Sequence, residues 1–150
     1  AIAAAATDWK LERVRTLLGA EQTVNYARPG WADEVHGVNV VYDNISSPAL
    51  FAAALGTLRP YGRLVTCGTH GGDGSVTVDM RTLYRRHLSI IGDTGASANA
   101  VREVFAAVAS GTLAPPPIFH RYALDEIAGA HEAALGRELF GRAVITVGGG

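Results

Sequence analysis

Short apolar runs alternate with amphipathic stretches from the start of the chain to about Gly111. The first run, residues 1–5, predicts a buried strand. A helix is predicted next, because apolar residues recur at helical spacing between Thr7-Asp8, which can cap its start, and Gly19, which ends it. The same order then repeats, with strands predicted at residues 21–26, 38–42, 63–67 and 88–91 and helices at residues 31–35, 47–58, 80–86 and 98–109.

This alternation predicts an α/β fold. Strands that are apolar almost throughout, with helices between them, are typical of a parallel sheet that is covered on both faces and connected by right-handed crossovers. Pro60-Tyr61-Gly62 is predicted to be a turn that leads into the strand at 63–67. The helix at 98–109 is predicted to turn four apolar residues inward: Val101, Val104, Phe105 and Val108.

The pattern changes after Gly111. Ala114-Pro115-Pro116-Pro117 predicts a stiff connector, and an extended segment is predicted at 119–122. A helix starting near Leu124 and a final strand at 143–147 complete the predicted elements.

Composition narrows the classes of function. The chain has 150 residues, of which 48% are hydrophobic, and its 13 basic and 14 acidic side chains leave a net charge of −1, so nucleic acid is not an expected partner. Its single cysteine, Cys67, excludes an intrachain disulfide and zinc sites built from paired cysteines. No metal site is expected either. Besides His70 the chain has four histidines, and their positions lack the spacing of metal ligands: His36, His87, His120 and His131.

The beginning of the chain is apolar but too short to span a membrane, and it lacks the basic start of a signal peptide. We therefore expect a cytoplasmic protein that does not enter a membrane. Because the sequence opens inside an apolar run without an initiator Met, we interpret it as a fragment of a larger protein.

Several short motifs, in a fixed order, carry a resemblance to a known family. They are Lys10-Leu11-Glu12-Arg13 with Leu18-Gly19-Ala20, Val24-Asn25-Tyr26, Val40-Val41-Tyr42-Asp43-Asn44, Leu58-Arg59-Pro60-Tyr61-Gly62-Arg63-Leu64-Val65, Ser89-Ile90-Ile91-Gly92 and Phe140-Gly141-Arg142. Over essentially its whole length the chain resembles the cofactor-binding domain of the medium-chain dehydrogenase/reductase family, which includes zinc-type alcohol dehydrogenases, quinone oxidoreductases and enoyl reductases.

The resemblance implies a Rossmann-like, doubly wound parallel sheet that lacks its first strand. In the family that strand ends in a glycine-rich turn that binds the pyrophosphate, and no G-x-G-x-x-G occurs here. Because the missing strand is the central one in the order 3-2-1-4-5-6, we expect a gap with two exposed inner edges. Residues 1–113 correspond to the partial nucleotide-binding domain, and residues 114–150 to a segment that in relatives returns to the catalytic domain.

The resemblance also implies NADP as the cofactor. NAD enzymes place an acidic residue at the end of the first predicted strand, where this chain has Ala5. The turn after it offers the hydroxyl of Thr7 and the cation of Lys10, as in NADP-binding relatives. The alternative is structural, with Thr7 as a helix cap and Lys10 as a surface charge.

Further positions match the cofactor cleft of relatives. Tyr26 matches a residue that contacts the adenosine phosphate in relatives, and its alternative is an ordinary surface tyrosine. Asn44 follows a strand end and matches a position that lines the cofactor cleft, and its alternative is a turn residue. Arg142 matches a phosphate contact, with a surface charge as its alternative. The remaining candidates match the nicotinamide side of the cleft in relatives and have no catalytic role assigned to them: Cys67, Gly68, Thr69, His70, Gly92, Asp93 and Thr94. The alternatives are a small core residue for Cys67, a solvent-facing histidine for His70 and a plain turn for Gly92-Asp93-Thr94.

The function implied is NADP(H) binding in an oxidoreductase that moves a hydride between NADPH and a carbonyl, quinone or activated alkene. The small-molecule substrate would contact the missing catalytic domain, in which the use of zinc stays undecided, and strand Leu88–Ile91 would pair with its copy in a homodimer. Two alternatives remain: an enoyl reductase module of a polyketide or fatty acid synthase, and a non-catalytic interaction module with a dinucleotide fold. A methyltransferase is disfavoured, because that class needs an acid where Ala5 stands.

Overall fold

The computed structural model describes residues 1–70 and 72–148. The chain forms two compact units, Ala1–Gly95 and Ala96–Gly150. In both units strands pair in parallel and helices lie between them in sequence, as in Rossmann-like domains, so the α/β fold class predicted from the sequence is confirmed. None of the helices in the described ranges is long and apolar enough to cross a bilayer.

The first unit contains five strands, two well-formed helices and two shorter helical segments. The strands are β1 (Ile2–Ala5), β2 (Gln22–Asn25), β3 (Val38–Asp43), β4 (Leu58–Thr66) and β5 (Ser89–Gly92). The helices are α1 (Asp8–Leu18), α2 (Pro48–Thr57) and α3 (Met80–Arg85), with a 3-10 helix at Trp31–Glu34. Each predicted element of this unit is therefore present, with bounds that differ by a few residues.

Strands β1 and β2 form a two-stranded parallel sheet with α1 between them in sequence. Gly19 ends α1 in the left-handed conformation, with φ +69, which a residue without a Cβ adopts at little cost. The register pairs Ala5 with Asn25, so the two strands end at the same level. Their carboxyl ends therefore form one edge.

Strands β3, β4 and β5 form a separate three-stranded parallel sheet in the order β3-β4-β5. Its register shifts between Val38, which pairs with Leu58, and Val40, which pairs with Arg63. The sequence prediction of a turn at Pro60-Tyr61-Gly62 that only precedes the strand is wrong, because these residues lie within β4 as an irregularity of its ladder. A Cβ at Gly62 would lie 2.8 Å from the carbonyl oxygen of Arg59, which explains the glycine there.

The gap expected from the missing central strand is present. Within the described residues, β1 and β3 each have a paired strand on one side only, and no strand joins the two sheets. A cleft of about 660 Å³ is lined by residues from both, including Ala4 of β1 and Val40 and Tyr42 of β3. The unpaired inner edges of the two sheets thus border the same cleft.

The core of the first unit belongs mainly to the three-stranded sheet. One buried cluster packs α2 against β4 and the start of β5: Phe51, Ala54, Leu55, Leu58, Leu64 and Leu88. The β1–β2 side has its own buried side chains in Leu11 and Val24. The larger sheet is therefore the better packed of the two.

The second unit contains α4 (Ala98–Ala109), β6 (Ile118–Ala123), a 3-10 helix at Leu124–Glu126, α5 (Ile127–Leu135) and β7 (Arg142–Thr146). Strands β6 and β7 pair in parallel. The prediction that the apolar face of α4 points inward is wrong for Val101, Val104 and Phe105, which are 41%, 53% and 71% exposed. Apolar residues at helical spacing indicate that one face of a helix can pack against another surface. The two-stranded sheet of the second unit is too small to cover that face of α4.

Candidate functional site

The carboxyl ends of β1 and β2 meet at one edge of their sheet, as parallel strands require. The backbone N–H of Tyr26, just after β2, donates to the carbonyl oxygen of Ala5 at 3.1 Å. Tyr26 is half-buried and lines the 660 Å³ cleft. Ala5, at the end of β1, carries only a methyl group next to this tyrosine.

The first turn of α1 lies directly after this edge. Thr7 is the N-cap residue by backbone conformation, yet its side chain makes no capping hydrogen bond. Lys10 places its ammonium 5.2 Å from the centre of the Trp9 ring, and the guanidinium of Arg13 lies 5.4 Å from the same ring. The start of α1 thus carries a hydroxyl that is not used for capping, and two cations lie near the Trp9 ring.

Asp8 is held by two donors from the end of β2. Asn25 donates through Nδ2 to Oδ1 at 2.8 Å, and Arg28 donates through Nη2 to Oδ2 at 2.8 Å. The Asn25 hydrogen bond and then the Arg28 guanidinium hold the pKa of the Asp8 carboxyl below its ordinary value. Sequence reasoning missed Arg28, because the residues Arg28-Pro29-Gly30 carry a turn signal and no sign of a distant partner.

The loop after β3 is organised by Asp43. Its carboxylate accepts from the backbone N–H groups of Ile45 and Ser46 at 2.8 and 3.1 Å. The Ser46 hydroxyl lies 2.7 Å from that of Thr66 at the end of β4. This arrangement fixes the backbone around Asn44, which is exposed and lines the same cleft as Tyr26. Asp43 was not among the sequence candidates, although an acidic residue at a strand end is a recognisable turn signal.

The loop after β4 approaches the loop after β3 closely. The backbone N–H of Cys67 donates to the carbonyl oxygen of Asp43 at 3.0 Å. A Cβ at Gly68 would lie only 3.0 Å from the carbonyl oxygen of Asn44 and 3.4 Å from the His70 ring. The glycine therefore permits a contact between the loops that a side chain would push apart. Thr69 and His70 are exposed on the same loop.

Tyr42, Cys67 and Asp93 lie at the ends of β3, β4 and β5. The pKa of the Tyr42 phenol lies above its ordinary value, first because of its hydrogen bond with the Cys67 side chain and further because of the negative charge of Asp93. The backbone N–H of Asp93 donates to the carbonyl oxygen of Thr66 at 2.9 Å, and Gly92 pairs with Thr66 in the ladder. Thr94 follows in the same exposed segment. Tyr42 was another residue that sequence reasoning missed.

The structure thus divides the predicted site residues into three groups. Thr7, Lys10 and Tyr26 lie at the edge of the β1–β2 sheet. A second group lies at the edge of the three-stranded sheet: Asn44, Cys67, Gly68, Thr69, His70, Gly92, Asp93 and Thr94. Arg142 begins β7 in the second unit, where its side chain is exposed and its backbone N–H donates to Pro117. Its cofactor contact stays a prediction, as do those of the other residues.

No group of three or more His, Cys, Asp or Glu side chains in residues 1–70 and 72–148 is arranged to hold a metal ion. The donor set of a zinc site is therefore not supplied by this part of the chain.

Comparison with known proteins identifies relatives. The family described as zinc-binding dehydrogenase matches residues 1–110. No curated protein matches the chain.

Solved structures match over nearly the whole chain. An NAD-dependent alcohol dehydrogenase is 31% identical with a TM-score of 0.85, and the match covers 98% of this chain and 43% of that one. Benzyl alcohol dehydrogenase from Acinetobacter calcoaceticus is 19% identical with a TM-score of 0.83, covering 98% and 42%. CurA from Vibrio vulnificus, in complex with NADPH, is 15% identical with a TM-score of 0.76, covering 99% and 50%. The chain therefore spans half or less of the length of these proteins.

Proposed function

Because the chain belongs to the zinc-binding dehydrogenase family, we propose that it forms the NADP(H)-binding portion of an oxidoreductase that moves a hydride between NADPH and a carbonyl, quinone or activated alkene. Its family and its Rossmann-like fold are those of dinucleotide-dependent dehydrogenases. The choice of NADP and the class of substrate are the proposal.

One observation carries the choice of NADP: the edge formed by β1 and β2 has no uncommitted carboxylate where the adenosine ribose of NAD would be held. Ala5 occupies the strand end, and the nearby Asp8 is bound by Asn25 and Arg28. An acid at that position would hydrogen-bond the 2′-hydroxyl of NAD and repel the 2′-phosphate of NADP. The Thr7 hydroxyl and the Lys10 ammonium suit the phosphate instead.

The residues present fit part of such a cofactor. Tyr26 and Asn44 line one cleft between the two sheets, and Gly68 leaves room for a close backbone approach. Bound NADPH would supply the hydride, while Thr7, Lys10 and Tyr26 would hold its adenosine phosphate and Asn44, Gly68 and Thr69 would face the nicotinamide side. Zinc does not fit the donor groups of the described residues.

Other features of the proposal concern the rest of the protein. We expect substrate contacts and proton donors to come from residues outside this chain, and Arg142 to reach the cofactor phosphates. Ile90 and Ile91 of β5 are 37% and 42% exposed, which suits pairing of this edge strand with a second copy in a homodimer. An enoyl reductase module is compatible with the same residues, whereas a non-catalytic interaction module would need no nucleotide.

The test is a titration of the full-length gene product with NADPH and NADH, followed by nicotinamide fluorescence. We expect tighter binding of NADPH, and we expect Lys10→Ala to lower the ratio of NADPH to NADH affinity about tenfold, as the loss of one charge-assisted phosphate contact would. Arg13→Ala is the matched control, because it removes the other cation from the same Trp9 ring. Binding of neither nucleotide would favour the interaction module. Tighter binding of NADH would refute the cofactor preference alone, as the NAD-dependent relative allows.

A further inference from the structure

We propose that Arg28 determines the preference for NADPH by neutralising Asp8 at the edge where the adenosine ribose binds. This inference rests on the proposed function and adds to it a residue that no motif of the resemblance includes. Arg28 acts here as a positioning and charge-compensating residue, and Asp8 as the group that it controls.

Asp8 lies at the edge where β1 and β2 end. It is the first residue of α1 and follows the end of β1 by only three positions. Asn25, its amide partner, is paired in the ladder with Ala5. The carboxylate is therefore tied to the very edge at which an acidic residue would select NAD. Without a neutralising partner, the negative charge of Asp8 would act at this edge as an acidic residue at position 5 would.

The turn after β2 brings the Arg28 side chain to Asp8. The backbone N–H of Ala27 donates to the Asn25 side-chain oxygen at 3.0 Å, and the backbone N–H of Arg28 donates to the Asn25 carbonyl oxygen at 3.1 Å. This turn brings the guanidinium back across 20 positions of sequence to Asp8. Asn25 thus holds both members of the pair, one through its side-chain amide and the other through the turn.

The pocket that Asp8 and Arg28 line contains more acidic than basic side chains. A pocket of about 220 Å³ beside the pair is lined by Asp8, Glu12, Glu34 and Arg28, together with uncharged residues. Among the described residues that line it, Arg28 is thus the single cation against three carboxylates. Glu12 is bound by Arg15 at 2.7 Å, which leaves Arg28 as the partner of Asp8. Without Arg28 this part of the site would become acidic and would repel a phosphate dianion.

The experiment compares affinities for NADPH and NADH in the full-length gene product. We expect Arg28→Ala to lower the NADPH-to-NADH affinity ratio by about three- to tenfold, the range of a charge change near an exposed phosphate. Asp8→Asn in the Arg28→Ala background should restore most of the ratio, because it removes the uncompensated charge. Arg28→Lys should retain it. The Arg28→Ala effect should shrink as salt rises from about 0.02 M to about 0.5 M.

Arg102→Ala is the matched control. It also removes an exposed arginine that is held by a side-chain hydrogen bond, from Nη1 to Asn99 Oδ1 at 2.6 Å, but this arginine lies on α4 and lines neither of the two pockets described above. We expect the affinity ratio of this variant to stay within twofold of the wild type. A loss of fold would lower binding of both nucleotides together, and circular dichroism of each variant identifies it, whereas the proposal concerns their ratio and the rescue by Asp8→Asn.

An unchanged ratio in Arg28→Ala, or an equal drop in Arg102→Ala, would overturn the role of Arg28 and leave the proposed function intact. Failure of the wild type to bind either nucleotide would overturn the proposed function, and the role of Arg28 with it.

Discussion

The two sheets of the first unit are built from the same kind of strand but are stabilised differently. In the three-stranded sheet Leu58 and Leu64 are 1% and 0% exposed and pack against α2. In the β1–β2 sheet Ile2 is 42% exposed, and Val24 and Leu11 are its buried apolar side chains. The candidate residues for the adenosine phosphate lie on the second, thinner sheet. Stability and cofactor discrimination are therefore carried by different parts of one unit, and bound ligand should stabilise the thin sheet more.

The largest effect should come from the core of the three-stranded sheet. Leu64→Ala is expected to lower the free energy of unfolding by about 2–5 kcal/mol, because it leaves a cavity in the best-packed cluster. Val24→Ala, at the equivalent buried place of β2, removes fewer methyl groups and should cost about 1–2 kcal/mol. Urea unfolding followed by circular dichroism measures both. Equal losses would mean that the thin sheet is as tightly packed as the other.

Two glycine substitutions compare the three-stranded sheet with the region around α1, and their expected effects are smaller. Gly62→Ala in β4 should cost about 1–3 kcal/mol, because the new Cβ would lie 2.8 Å from the Arg59 carbonyl oxygen and 3.0 Å from the Leu58 Cβ. Gly19→Ala at the end of α1 meets nothing within 4 Å, so only the strain of its φ of +69 remains, about 1 kcal/mol. Thermal unfolding of the two variants compares them. A larger loss for Gly19→Ala would show that the region around α1 is the more rigid.

The smallest effect is the acid dependence of the β1–β2 edge. Because the folded pKa of Asp8 lies below its unfolded value of about 3.9, its stabilising contribution is complete above that value and is lost as pH falls through the folded pKa. The protection of the β2 amides against exchange, measured relative to the intrinsic exchange rate at the same pH, should therefore fall a few-fold on acidification below about pH 4. Asp8→Asn should flatten this dependence.

Asp79 provides the comparison in the other region. Its pKa is also lowered, first by the Thr82 side chain, and it caps α3. Asp79→Asn should flatten the acid response of α3 and leave that of β2 unchanged. A response of β2 that follows Asp79 would contradict the independence of the two regions.

The order of elements could be predicted because the apolar runs and their stops are local signals. Gly19 ends α1 and Ser47-Pro48 starts α2 where the sequence indicates. The irregular start of β4 could not be predicted, since it depends on pairing with β3, far away in the sequence. The exposed face of α4 was missed for a related reason. Its apolar residues follow a helical period, and nothing in that period shows which surface covers them.

Site residues that directly follow a strand could be predicted from the sequence. Pairs of side chains that come together from distant positions could not. Ala5, Tyr26 and Asn44 follow strands that the pattern locates. The pairing of Asp8 with Arg28 joins residues 20 positions apart through a turn whose geometry the sequence does not specify. The contact of Tyr42 with Cys67 depends likewise on the register of two strands.

The order of strand pairing also affects how the chain folds during synthesis. Every strand of the described residues pairs only with a strand adjacent to it in sequence, β1 with β2, β3 with β4, β4 with β5, and β6 with β7. Each pairing therefore closes a short loop, and such local closures are fast and entropically inexpensive. The chain can acquire its pairs one after another as it leaves the ribosome, without waiting for residues made later.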